Sequence, residues 1–337
     1  MKNFFTLTLI LTSATAFSQA DSANFYYQKG QAEKTAQRWL VASQNFEKAT
    51  RFNPKLVEAY LENGNVNMEM RRTDIAKSNF NTVIALQPGN IPATNQLINL
   101  LYDYHQYQAA IDMAQKCPTC SNSDKVVALS YFKLQEFDAA EKILVKLAKT
   151  NPNDAEIMYT IGKTYMEMEL EQKAIYYYQK AISLKQDNPQ WNFEMGMLYY
   201  VTENFKNAVI FFNKALSYGY TPSAEFNENL GYAYLYSKDY EKGEKILLGL
   251  IARRPGDKTI MRDLAQSYYE QKKFDKSLEF CQKLMELDIK DGRALYQAGM
   301  CFQKMGDMQK GMSMCDRAIE LDPSLRALKT KRGSDDF

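Results

Sequence analysis

Apolar residues recur along the chain at i, i+3, i+4 and i+7 in short stretches, each separated from the next by a polar turn. That spacing lines one face of a helix, so the pattern predicts amphipathic helices. From residue 23 onward the stretches come in pairs, and the pair recurs every 34 residues, most clearly between 23 and 90. The first unit has Tyr26, Gly30, Ala42, Phe46, Ala49 and Pro54, and the second has Tyr60, Gly64, Ala76, Phe80, Val83 and Pro88 at the same offsets. Gly64 and Ala76 carry almost no side chain, so the two helices of a pair can approach closely where these residues face each other. Asn53-Pro54, Gln87-Pro88, Asn151-Pro152 and Arg254-Pro255 end the second helix, because proline disfavours helical geometry before it and cannot donate to a helix running through it.

The register continues with units starting near 23, 57, 91, 121, 155, 189, 224, 258 and 292, marked by Gly162 with Ala174, Gly196 with Ala208, Gly231 with Gly243, and Gly299 with Gly311. This resembles the tetratricopeptide repeat consensus, which has large residues at positions 4, 7, 11 and 24, small ones at 8, 20 and 27, and proline at 32. The resemblance implies an all-α, right-handed superhelical solenoid of about nine helix-turn-helix repeats over residues 23–324. Ala128 and Ala265 replace the first glycine, Ser277 replaces the alanine, and the residue at position 4 varies. A unit this small cannot bury its own apolar face, so stability must come from stacking on neighbours. Residues 325–337 are expected to form a short capping helix and a frayed tail.

Composition is that of a globular chain: 45% hydrophobic and 24% charged residues leave ample material for a core. The net charge of +2, with doublets such as Arg71-Arg72 and Arg253-Arg254 scattered, gives no broad field for nucleic acid. Residues 1–20 differ from the rest. Lys2 is their only charge, Phe4 to Phe17 is largely apolar, and small residues follow at Ala16, Ser18 and Ala20, which reads as a signal peptide cleaved after Ser18 or Ala20. The apolar run is shorter than the roughly 20 residues needed to span a bilayer, so no membrane span is expected after cleavage. No cysteine near the cleavage region offers a lipid-anchor acceptor. The ending Phe17-Ser18-Gln19-Ala20 is similar to those of exported Bacteroidetes proteins, implying an exported bacterial protein, periplasmic or, alternatively, extracellular.

In the tetratricopeptide family the first helix of each pair lines the concave side, with positions 2, 5, 9 and 12 pointing into the groove. By that resemblance the partner-binding residues are Tyr27, Asn65, Asn99, Tyr102, Phe132 and Tyr159, continued by Phe193, Tyr200, Tyr232, Tyr269 and Tyr296. Aromatic and amide side chains of this kind suit a protein-binding surface. Tyr131, Tyr165, Tyr199, Tyr234 and Tyr268 recur at position 11 and read as core. Chaperone-binding members of the family hold a terminal carboxylate with a clamp of Lys at position 5 and Asn at position 9. Here Asn65 is matched with Leu61, and Lys125 with Leu129, so that clamp is not formed.

The third unit is the outlier, with Ile98 in place of glycine, Ala114 in place of an aromatic, and four residues missing before the next register. Its second helix must end early. There lies Cys117-Pro118-Thr119-Cys120, followed by Ser121, Asn122, Ser123 and Asp124 as candidate caps of the next helix. In an oxidising compartment the two cysteines can close a disulfide that fixes the turn. A thioredoxin-like dithiol is the sharper reading, but the pair ends a helix, where a thiolate is disfavoured. Cys281, Cys301 and Cys315 read as buried thiols, with one disulfide between neighbouring helices as the alternative. His105, the only histidine, sits near a turn, and Glu167, Glu169 and Glu171 fall on another. There is no phosphate-binding glycine loop and no serine elbow, and no metal, cofactor or catalytic residue is expected. The resulting expectation is a non-enzymatic scaffold or adaptor that mediates protein–protein interaction in the cell envelope, its groove holding a protein or peptide segment. The alternatives are a glycan-binding envelope protein, with tyrosines stacking on sugar rings, or a thiol-disulfide redox protein using Cys117 and Cys120.

Overall fold

Eighteen α-helices fill the described residues, 20–120 and 123–327, of the computed structural model, and no strand occurs among them. The expectations for a signal peptide, for Ser121 or Asn122 as caps, and for the tail beyond 327 fall on residues outside that range. The helices group into two compact bodies that divide between Leu184 and Lys185. The first holds α1 (20–35), α2 (Trp39–Phe52), α3 (Val57–Glu69), α4 (Thr73–Leu86), α5 (Ile91–Asp103), α6 (Tyr107–Gln115), α7 (Ser123–Lys133), α8 (Phe137–Thr150), α9 (Ala155–Glu167) and α10 (Glu171–Leu184). The second holds α11 (Pro189–Val201), α12 (Phe205–Ser217), α13 (Ala224–Tyr236), α14 (Tyr240–Arg253), α15 (Lys258–Glu270), α16 (Phe274–Leu287), α17 (Gly292–Lys304) and α18 (Met308–Leu321). Within each body a helix packs on its pair-mate and on the first helix of the next pair.

Local chemistry sets the boundaries. Asn90, Asp154, Asn188, Ser223, Asp257 and Asp291 stand just before a first helix, and each accepts a hydrogen bond from the amide three residues on, at 3.0–3.2 Å. Each cap of this kind is worth about 1 kcal/mol. The turn inside a pair is equally regular. Gln37, Arg71, His105, Gln135, Glu169, Glu203, Lys238 and Lys272 all adopt positive φ, between 56° and 69°, and Gly306 does the same at 98°. The next amide then reaches back to an open carbonyl of the first helix, as in Arg72 N–H to Asn67 O at 2.8 Å and Gln106 N–H to Leu101 O at 2.9 Å. His105 is thus a turn residue, its Nδ1 2.7 Å from the Tyr107 hydroxyl.

The glycines act in a more specific way than close approach alone. A Cβ added to Gly30 would lie 2.6 Å from the Phe46 ring, on Gly196 2.6 Å from Phe212, and on Gly162 2.8 Å from Tyr178; on Gly64 it would strike Phe80. The missing Cβ at position 8 is therefore the seat for the side chain at position 24. The small residue at position 20 meets the backbone of the same glycine: a Cβ on Gly243 would be 3.0 Å from the Gly231 carbonyl, and on Gly311 2.6 Å from that of Gly299. Every ring at position 24 in these pairs faces a glycine, whereas Ala128 stands opposite Leu144 and Ala265 opposite Cys281; Gly231 and Gly299 face the smaller Leu247 and Cys315. In the third pair the sizes are reversed, Ile98 and Ala114 both being buried in one cluster. Its second helix, α6, runs for 9 residues where its counterparts run for 13 or 14, and ends on a turn closed by a Cys117–Cys120 disulfide.

A buried polar strip fixes α3 between its neighbours. Ser43 of α2 donates to Asn63 Oδ1 at 2.7 Å, Asn63 donates to Asn79 of α4 at 3.3 Å, and Asn67 donates back to Ser43 at 3.1 Å. At the other end of the chain a 3₁₀ turn, Pro323–Leu325, drops Leu325 onto Tyr296, Met300, Ala318 and Ile319, covering the last pair.

Two expectations follow from this packing. Gly64→Ala forces the buried Phe80 ring to move, and should destabilise the protein by about 1–3 kcal/mol in urea denaturation, whereas Gly249→Ala, exposed on α14 with nothing within 4 Å, should stabilise by about 0.5–1 kcal/mol. Cys117→Ser opens a loop of sequence separation 3 and should cost about 2 kcal/mol under oxidising conditions, with no difference from wild type once both are reduced.

Candidate protein-binding face

First helices of neighbouring pairs touch directly: α5 meets α7, α11 meets α13, and α15 meets α17, while no two second helices approach to the same extent among the described residues. The row of first helices is therefore the inner side within each body. Cross-pair contacts hold the row in register. Lys34 of α1 reaches Glu62 of α3 at 2.5 Å, Lys125 of α7 reaches Glu156 of α9 at 3.1 Å, and Arg262 of α15 reaches the Asp291 cap of α17 at 2.7 Å.

The expected groove residues fall into distinct groups. Tyr102, Phe132, Tyr200 and Tyr269, all at position 12, are half-buried and each lies 5.6 Å, at 58–73° between planes, from an aromatic at position 17: Tyr107, Phe137, Phe205 and Phe274. These tilted pairs recur along the inner row and leave one edge open. Tyr159 is half-buried and stands edge-on to Tyr178 at 5.6 Å, with the Lys163 ammonium over its ring and over Phe132. Asn99 is exposed and Asn65 half-exposed. Tyr27 and Phe193 are half-buried too: Tyr27 leans on Phe46 at 5.9 Å, and Phe193 stacks on Tyr220 at 4.6 Å and is tilted against Phe226 at 5.7 Å. Tyr232 and Tyr296 are only 7% and 5% exposed, so they offer a partner little area. Of the position-11 tyrosines, Tyr165, Tyr199, Tyr234 and Tyr268 are buried and Tyr131 is half-buried.

In the second body the inner row carries a cluster that the sequence reading did not select. Tyr236 of α13 is exposed, lies 4.8 Å from Phe205 and is parallel to Tyr232 at 5.9 Å. Asp263 and Glu270 of α15 face it. Partial desolvation on its packed side, reinforced by the nearby Asp263 carboxylate, pushes Tyr236 up to about 12, and burial raises Tyr232 and Tyr200 as well. Burial likewise raises Asp263 above its ordinary value of 3.8, against the nearby Tyr232 hydroxyl and the charge of Arg262. The local cations are engaged elsewhere: Arg262 with Asp291, and Arg254 with Glu228 at 2.7 Å. These positions escape a register rule because they come from successive pairs and meet only around the hollow that α13 and α15 line together.

The remaining chemistry is quiet. Cys117 and Cys120 are buried, as are the free thiols of Cys281, Cys301 and Cys315, and burial pushes Cys281 up to about 12, which leaves it a thiol at neutral pH. Among the described residues no group of three His, Cys, Asp or Glu side chains could hold a metal ion, and no helix is long and apolar enough to cross a membrane.

Comparison with known proteins points one way. Tetratricopeptide repeat models match residues 155–188, 228–292 and 292–325. A stretch of 114 residues is 29% identical to stress-induced-phosphoprotein 1 of Caenorhabditis elegans, covering 31% of this chain and 36% of that protein. A stretch of 211 residues is 24% identical to the human mitochondrial import receptor subunit TOM70, covering 58% of this chain and 34% of that one. The chain thus spans about a third of the length of these curated relatives. Among solved structures, the C-terminal part of a repeat protein from Cytophaga hutchinsonii aligns with a TM-score of 0.46 at 20% identity, over 68% of this chain and 95% of that one.

The Asp263 environment has a measurable consequence. Its raised pKa means that folding disfavours the charged form, so stability falls as pH rises from 3.8 through the folded value and stays lowered at neutral pH. Asp263→Asn removes that charge, and should raise the melting temperature at pH 7 by roughly 2 °C, an advantage that disappears at pH 3; circular dichroism melts at the two values check it. A lower melting temperature at pH 7 would mean that the carboxylate is a structural partner.

Proposed function

Since the chain belongs to the tetratricopeptide repeat family, we propose that it works as a non-catalytic adaptor, holding a segment of another protein against the inner row of first helices. The observation that carries this reading is the recurrence of half-buried aromatic pairs at positions 12 and 17 along that row. Such rings combine large contact area with few rotatable bonds, which is what dominant interface residues share. The pairs at Tyr102 and Phe132 in the first body, and those at Tyr200 and Tyr269 in the second, give an extended or helical guest two like footholds on each. We place this work in the cell envelope, on the strength of the apolar stretch Phe4 to Phe17 and the small residues after it.

The test is positional. A photo-crosslinking amino acid at Tyr102 or Tyr269 on the inner row should capture the same partner chain in the native cells, and one at Tyr176 or Ile210, exposed on second helices, should not. Capture from both faces alike, or of background proteins alone, would contradict the adaptor reading. Cell fractionation with N-terminal sequencing should find the mature protein in the envelope fraction, beginning at Gln19 or Asp21.

A further inference from the structure

The hollow between α13 and α15 has room for one side chain and little more. It encloses about 130 Å³, below the roughly 300 Å³ at which pockets begin to hold a whole small molecule. Tyr236 and Tyr240 supply aromatic surface, and Asp263 and Glu270 supply carboxylates, with Lys238 exposed on the turn at the rim. Among the described residues no cation within 4 Å neutralises either carboxylate: Arg262 and Arg254 pair with Asp291 and Glu228, and Lys238 forms no ion pair there. An independent feature is Tyr232, 7% exposed, whose buried hydroxyl is turned to Asp263 without closing a well-formed hydrogen bond. Glu270 accepts from the neutral Gln266 amide at 2.8 Å, so what the two carboxylates lack beside the tyrosine rings is a cation.

We propose that this hollow anchors one basic side chain, a lysine or arginine carried by the protein segment that the inner row holds. This rests on the adaptor reading and adds the chemistry of its guest. The cation would lie over the Tyr236 ring, where the ring quadrupole attracts it, and donate to the Asp263 and Glu270 carboxylates. The half-buried position of Asp263 strengthens the attraction, since charge interactions are screened less where water is partly excluded. An acidic segment would meet like charge here, and a neutral one would leave the carboxylates uncompensated.

A random 12-residue peptide library displayed on phage, selected on the purified full chain, tests the proposal. Enriched peptides should share a lysine or arginine at one fixed position, and exchanging that residue for methionine should weaken binding at least about tenfold on the wild-type protein. On Asp263→Asn or Glu270→Gln, each confirmed as folded by circular dichroism, the same exchange should matter less than about threefold, which shows the coupling directly. Enriched peptides without a recurrent basic position, or an equal loss on wild type and variants, would overturn the anchor and leave the adaptor standing. Displacement of the peptide by millimolar spermidine as readily as by unlabelled peptide would reassign the hollow to a free small cation and likewise overturn it. A selection yielding no binding peptide at all would remove both readings.

Discussion

The contact on which the array depends is the side chain at position 24 lying on the bare Cα of position 8. Phe46 on Gly30, Phe80 on Gly64, Tyr178 on Gly162 and Phe212 on Gly196 are repetitions of it. Because the ring occupies the space a Cβ would take, the two helices of a pair have one separation and one rotation available. Where the glycine becomes alanine the partner is Leu144 or Cys281, and where it becomes Ile98 the partner shrinks to Ala114, so no ring is set against a side chain larger than a hydrogen at position 8. The last pair keeps a glycine opposite the small Cys315, and there Gly311 rests against the Gly299 carbonyl, closing the gap with backbone instead of a ring.

Once that contact fixes each pair, the inner row follows. The outward side of the first helix cannot be buried by its own pair-mate, and the neighbouring first helices bury only part of it. The aromatics at position 12 therefore lean on those at position 17 across the turn, half-covered. A surface of this type is stable without a partner and still has area to give one. Asp263 shows the other side of the arrangement: it is half-buried without an ion pair, and its partial desolvation raises its pKa.

The helical class, the pairing and the 34-residue register were all legible in the sequence, because periodicity reports directly on which faces are buried. The role of position 11 as core was legible for the same reason, and Tyr165, Tyr199, Tyr234 and Tyr268 lie inside. The inner face was read less completely. Position rules place side chains relative to their own helix, and they miss that Tyr232 is covered by Tyr236 and that Phe193 is drawn into the Tyr220 and Phe226 stack. The position-17 aromatics recur at fixed places in the repeat and are legible in the same register, at the start of the second helix. Tyr236, Asp263 and Glu270 are not legible in it, since their meeting depends on how one pair sits on the next. The caps Asn90, Asp154 and Asp257 and the positive-φ turn residues also recur at fixed register, yet only one of the latter is glycine, so the usual signal for that conformation is absent.

The most direct test of the account is hydrogen–deuterium exchange of the chain alone and bound to its captured partner, resolved by helix. Binding should slow exchange in the first helices, with α11, α13 and α15 prominent among them, and leave α8, α12 and α16 unchanged. Protection gained chiefly on the second helices would contradict the assignment of the inner row as the working face.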